Sequence, residues 1–185
     1  MKSCTGQNLY WEDHMKRNEI MEKIKAGFPG ADTKPMFSNQ IHAAVPAAQI
    51  TGFITYLKQM DFKHLVNITC VDWIEDNRFE VVYNVWSYEH HIHITVKSVI
   101  DRTKPELQSI SSLWPAAQVY EQEIHEMFGV VFLGNPDLGP LFLHNWLDLP
   151  PLRKDFDAKE YSGAAYGFVE TDTAEATCIV PMEEN

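Results

Sequence analysis

Between Gly129 and Phe156 the chain is at once broken and greasy, and few folds can accommodate such a stretch. Its 28 residues include four prolines (Pro136, Pro140, Pro150, Pro151) and three glycines (Gly129, Gly134, Gly139), too many for a continuing helix or a central strand. Yet 13 of the 28 side chains are large and apolar, from Val130 and Phe132 through Phe142 and Trp146 to Leu152 and Phe156, which no solvated loop resembles. Burial contributes about 1.5–3 kcal/mol per such side chain, whereas fixing each backbone unit costs about 1–2 kcal/mol, so the segment cannot order itself through its own contacts. It must lie on a surface, either the core of its own domain or another subunit, and long irregular segments in compact domains are usually functional for that reason.

The residues in front of it predict a helix, because Val119, Tyr120, Ile124, Met127 and Phe128 recur at helical spacing until Gly129 stops it. Nearer the start, residues from about Asn8 to Phe28 read as an amphipathic helix with Met15, Ile20, Met21, Ile24 and Phe28 apolar, ended by Pro29-Gly30. Lys34 to Val45 reads as a strand. Pro46 opens a second helix on which Ile50, Phe53, Ile54 and Leu57 keep the period.

From Asp61 the period becomes two. Val66, Ile68 and Cys70 fall on one strand face, Phe79, Val81, Tyr83 and Val85 on another, with Ile74-Glu75-Asp76-Asn77 as the turn between them. A third strand turns Ile92, Ile94 and Val96 inward and His91, His93 and Thr95 outward, and Lys104 to Leu107 reads as a short helical start. Successive strands with short connections imply an antiparallel meander. Helices before and after it make the fold α+β, helices packed on the sheet, followed by an extended irregular C-terminal arm. The expected organisation is an α+β domain over residues 1–128, an arm over 129–156 and an acidic tail over 157–185.

Charge narrows the function classes. The net charge of −11 argues against nucleic-acid binding, which needs a cationic footprint. Eight acids and one base between Asp155 and the C-terminus mark a tail expected to be disordered alone or to drape over a partner. The three cysteines, Cys4, Cys70 and Cys178, lack any paired spacing, so neither a disulfide framework nor a zinc or iron–sulfur site is expected. No run approaches 18 apolar residues and no apolar signal core follows Met1, so the protein is expected beside a membrane and not in it, in a reducing cytoplasm.

Two clusters invite chemistry. His90-His91-Ile92-His93 puts His91 and His93 on one strand face, but without a third ligand a solvated sheet face is the expectation. Glu121, Glu123, His125 and Glu126 could serve acid–base catalysis in a free-standing small His/Glu hydrolase-type enzyme, yet the Glu-x-x-His spacing of di-metal sites is missing. Glu121 is expected to be exposed, while Glu123, one turn from Val119 and Met127, is expected on the apolar stripe, paired with a structural or intersubunit cation. Arg153-Lys154-Asp155 follows the stiff Pro150-Pro151 pair, a good way to present cations at a fixed place.

The order Glu121-Gln122-Glu123, Glu126-Met127-Phe128-Gly129, Gly134-Asn135-Pro136-Asp137-Leu138, Asn145-Trp146 and Pro151-Leu152-Arg153-Lys154-Asp155-Phe156 resembles the signature of the thirty-kilodalton subunit, the C-type subunit, of respiratory complex I and related membrane-bound oxidoreductases. The strand Phe62 to Trp73 also looks like a strand of that family. Gln122, Asn135 and Gly139-Pro140 stand where the family carries cationic groups, which suggests a divergent branch, an archaeal deazaflavin-coenzyme dehydrogenase or an energy-converting hydrogenase.

The resemblance implies a non-catalytic structural subunit of the hydrophilic arm of a complex I-like NADH or deazaflavin-coenzyme oxidoreductase acting on a quinone or phenazine, peripheral on the cytoplasmic side of the membrane. The alternative within the class is the equivalent subunit of a membrane-bound [NiFe] hydrogenase. It implies no catalytic, metal or cofactor residue in this chain, the iron–sulfur clusters and quinone-type acceptor (or NiFe centre) belonging to partner subunits. Those partners would be a large quinone-site subunit of the D type or a hydrogenase-large-like subunit, a small iron–sulfur subunit of the B type, and membrane-arm subunits indirectly. Glu121, Glu123, Phe128, Pro136, Asp137, Trp146, Arg153, Lys154 and Asp155 are expected as partner contacts.

Overall fold

The computed structural model describes the backbone of residues 5–167, with side chains from residue 16 onward. The acids Glu170, Asp172, Glu175, Glu183 and Glu184, and Cys4, Met15 and Cys178, therefore lie outside the described side chains. The elements are α1 (Thr5–Gly27), β1 (Asp32–Pro35), β2 (Gln40–Ala44), α2 (Ile50–Gln59), β3 (His64–Trp73), β4 (Arg78–Ser87), β5 (Ile92–Asp101), β6 (Glu106–Gln108), α3 (Pro115–Phe128), β7 (Val131–Leu133) and α4 (Ala158–Tyr166).

β3, β4 and β5 form the expected antiparallel meander, in register at Ile68 opposite Tyr83 and Tyr83 opposite Val96. The strand expected over Lys34 to Val45 is two strands, and β2 runs parallel to β5, so the five-stranded sheet, ordered β1-β2-β5-β4-β3, is mixed. One face carries the helices. Ile20 and Ile24 of α1, Ile50, Phe53, Ile54 and Leu57 of α2, and Ala117 and Ile124 of α3 close over Phe79, Val81, Tyr83, Val85, Ile94 and Val96. The i, i+3, i+4, i+7 spacing on α2 and the period of two through Phe79, Val81, Tyr83 and Val85 on β4 account for that burial directly, while Val82 is buried in addition.

Three local expectations change. The pairing register slips between Leu65 and Asn67, so Leu65 and Ile68 both point inward and Val66, expected inside, is exposed. Lys104 to Leu107 is no helical start: β6 pairs in parallel with β7, with Leu107 buried, a second small sheet that binds the beginning of the arm to the core. His91 sits in the β4–β5 turn with φ 54°, before the strand begins, so it does not share a strand face with His93. In addition, the first residues of the presumed tail form α4, whose N-terminal amides of Lys159 and Glu160 donate to the Asp157 carboxylate.

Candidate functional site

α3 starts at Pro115, whose missing N–H costs nothing at a helix start, and ends where Gly129 adopts φ 80° and returns its amide to the His125 carbonyl. Its buried stripe runs through Ala117, Glu121 and Ile124, with Gln122 beside it. The expected phase is therefore wrong by part of a turn: Val119 is half exposed, Glu123 faces solvent, and Glu121, expected outside, is fully buried.

Donors explain how a carboxylate can sit there. Glu121 accepts hydrogen bonds from Ser109 Oγ at 2.6 Å, the Ile110 amide at 2.7 Å and Asn135 Nδ2 at 2.8 Å. A satisfied buried acceptor avoids most of its desolvation penalty. Burial still pushes its carboxyl above the usual range, against the downward pull of those donors. Glu121 thus ties the end of β6 and the start of the arm to α3, and its carboxylate is not available to a partner.

The rest of the helix holds the arm by its backbone. Gln122 Nε2 donates to the Gly139 carbonyl at 2.8 Å, and the Glu126 carboxylate receives the amides of Leu141, Phe142 and Leu143 at 2.7–3.1 Å. His125 Nδ1 lies 2.8 Å from the Val130 carbonyl, and the Leu152 amide donates to the Met127 carbonyl.

A second anchor fixes the far end. Asp72, buried on β3, takes a two-pronged bond from Arg102 at 2.9 and 3.1 Å and the Lys154 amide at 2.8 Å. Asp155 joins Arg102 (2.6 Å) to Arg153 (3.1 Å), and both guanidinium groups lie 5.6 Å from the centre of the Phe79 ring. Arg153, and after it Arg102, hold the Asp155 carboxyl down at about 2, against the opposing effect of burial. Pairing with Asp72 holds the Arg102 guanidinium above its ordinary value.

Trp146 is packed against Phe156 and Tyr161, ring centres 5.5 and 4.7 Å away, and its indole donates to the Leu149 carbonyl. Polar ties thus order the arm while much of its apolar surface stays outside. Of its 13 large apolar side chains only Val130 and Phe132 are buried, whereas Phe142, Leu149 and Leu152 are exposed and Leu147 is 98% exposed.

Other predicted residues fall as follows. Phe128 stands edge-on to Phe79, 6.1 Å between centres. Pro136 is exposed, and Asp137, also exposed, accepts the Gly139 amide, shaping the turn. The Lys154 side chain is exposed with no partner among the described residues. Of the groups a free-standing enzyme would use, Glu121 is sealed in, Glu126 accepts three amides and His125 Nδ1 lies against a carbonyl.

Sequence reasoning missed Glu126, Gln122, Asn135, Asp72 and Arg102 as anchors. The one available signal was the spacing of Gln122 and Glu126 along a helix face that looks toward the proline-rich segment.

The α+β core thus carries an arm whose backbone is tied down while most of its large apolar side chains are left outside the core. The family model for the respiratory-chain NADH dehydrogenase 30 Kd subunit matches residues 43–162, and the chain belongs to that family, as a structural subunit of a complex I-like oxidoreductase. Among its relatives, the C-type subunit of the NADH-quinone oxidoreductase of Moorella thermoacetica is 41% identical over 120 residues, covering 64% of this chain and 81% of the relative. The C-type subunit of the F(420)H(2) dehydrogenase of Methanosarcina mazei is 32% identical over 147 residues, covering 77% and 93%. A chain in the structure of the membrane-bound sulfane sulfur reductase, an archaeal respiratory membrane complex, superposes with a TM-score of 0.75 at 31% identity, covering 87% of this chain and 97% of that one.

Proposed function

We propose that this chain is a non-catalytic brace in the hydrophilic arm of its oxidoreductase, laying residues 129–156 on the large subunit that helps to form the quinone-type site. A small iron–sulfur subunit lies alongside, and membrane-arm subunits are reached only through these two. The clusters and the quinone-type acceptor belong to the partners. The chain sits on the cytoplasmic face of the membrane; among the described residues no helix is long and apolar enough to cross it.

One observation carries this reading: the arm is held by its backbone and leaves Phe142, Leu147, Leu149 and Leu152 exposed, apolar surface that a covering partner would remove from water. Pre-ordering the arm lowers the entropy lost on docking. Affinity purification of the tagged chain in mild detergent, followed by intact-complex mass spectrometry, tests it. Co-isolation with several subunits including an iron–sulfur protein is expected, and recovery as a lone, stable monomer overturns it.

A further inference from the structure

A cleft of about 310 Å³ opens between the end of α3 and the arm, walled by Leu138, Pro140, Leu143, Trp146 and Pro150. Two polar side chains reach it, His125 and Glu126. Glu126 is closed off by the three amides it accepts.

His125 differs. Its Nδ1 lies 2.8 Å from the Val130 carbonyl, and a carbonyl can only accept, so the ring proton sits on Nδ1. In the uncharged ring Nε2 is then an acceptor, and no described residue donates to it. The cleft is therefore a largely apolar slot with the His125 ring in its lining, of a size suited to a ring-sized group.

We infer that this cleft receives an aromatic side chain carrying an N–H or O–H group, a tryptophan or tyrosine of a neighbouring subunit, with its ring against Trp146 and its polar hydrogen on His125 Nε2. The inference rests on the proposed docking of the arm and specifies the chemistry of its partner. Continuity supports it: exposed Phe142 and Leu147 adjoin lining residues Leu143 and Trp146 in the chain, so a partner covering them also covers the mouth of the cleft. Rings with a polar tip suit such slots because the ring brings apolar contact and the tip fixes orientation. An aliphatic occupant would leave the acceptor unmet.

The test uses the full chain and the probes p-cresol, indole and toluene, followed by NMR of the His125 ring. Both donor probes are expected to shift Nε2 and to bind about three- to tenfold more tightly than toluene, the worth of one hydrogen bond. In H125N the side-chain amide still reaches the Val130 carbonyl but nothing replaces Nε2, and the preference should vanish. Equal binding of p-cresol and toluene, or no response at His125, overturns the inference.

In the assembled complex, H125N and the cleft-filling L143W should each be lost more readily than the parent chain in a salt wash. If both are retained like the parent chain, the inference falls while the docking reading stands. If the parent chain never co-isolates with partners, the docking reading itself falls.

Discussion

The sheet core and the arm are both rich in apolar residues, and they are ordered by opposite means. In the core, Phe53, Phe79 and Ile94 are fully buried and the helices are held by that burial. In the arm, side-chain groups of Glu121, Gln122, Glu126 and Asp72 take hold of main-chain or Asn135 partners, and the apolar side chains are left over. A segment that buried its own grease would have nothing to offer a neighbour; one with no ties would have to be ordered at the moment of binding. Polar ties order the arm and leave its apolar side chains available.

The largest effects should come from the core. Phe53→Ala empties a fully buried site and is expected to lower global stability by about 3–5 kcal/mol, read as a lower urea midpoint in a single cooperative transition. Asp72→Ala attacks the joint between the two regions. It strips Arg102, whose side chain is only 10% exposed, of its main partner, and because Asp155 remains the expected loss is smaller, about 2–3 kcal/mol. Hydrogen exchange at the Lys154 amide should accelerate with it, since that amide donates to Asp72.

Glu126→Ala breaks the arm alone. Releasing the amides of Leu141, Phe142 and Leu143 should cost about 1–2 kcal/mol of local order, seen as faster exchange at those three amides with little change in the global midpoint. A fall in the midpoint as large as that of Phe53→Ala would mean the two regions are one cooperative unit.

The contrast extends to acid. Glu121 has a raised folded-state carboxyl, so the folded state holds more protons than the unfolded one above the ordinary carboxylate range, and stability from this site falls as pH rises through that window. Asp155 behaves oppositely: its carboxyl is held down at about 2, so its contribution is present above the ordinary carboxylate value and is lost as pH falls toward 2. Carboxyl-carbon NMR titration should show the two midpoints displaced to opposite sides of the ordinary range, with the Arg153–Asp155 anchor releasing in acid.

These regions also differ in how far they can be read in advance. Burial on α2 and β4 follows a fixed period, so Ile50, Phe53, Ile54, Leu57 and the Phe79–Val85 alternation were legible from residue order alone. Events that need a distant partner were not. The slip at Leu65/Asn67 belongs to the pairing of β3 with β4, and β6, three residues long, exists because β7 lies beside it. Glu121 is inside because Ser109, Ile110 and Asn135 converge on it, and none of them is near it in the chain. The outward apolar surface of the arm was visible as composition, but its anchors were not, since Glu126 and Asp72 bind amides that any sequence would supply.

Leu147→Ser should have the smallest effect on the chain and an informative one on its assembly. The side chain is 98% exposed, so its removal takes away almost no intramolecular contact, and the unfolding free energy from urea titration should stay within about 0.5 kcal/mol of the parent. Trp146→Ala is less clean, because Trp146 packs on Phe156 and Tyr161 and its loss would loosen the arm itself. If the arm's grease is meant for a neighbour, the serine variant, folded as well as the parent, should be retained less by the complex in a competition between tagged parent and variant chains. Equal retention would place Leu147 outside the contact, and the same result for Phe142→Ser and Leu152→Ser would leave the exposed ribbon without the partner its exposure calls for.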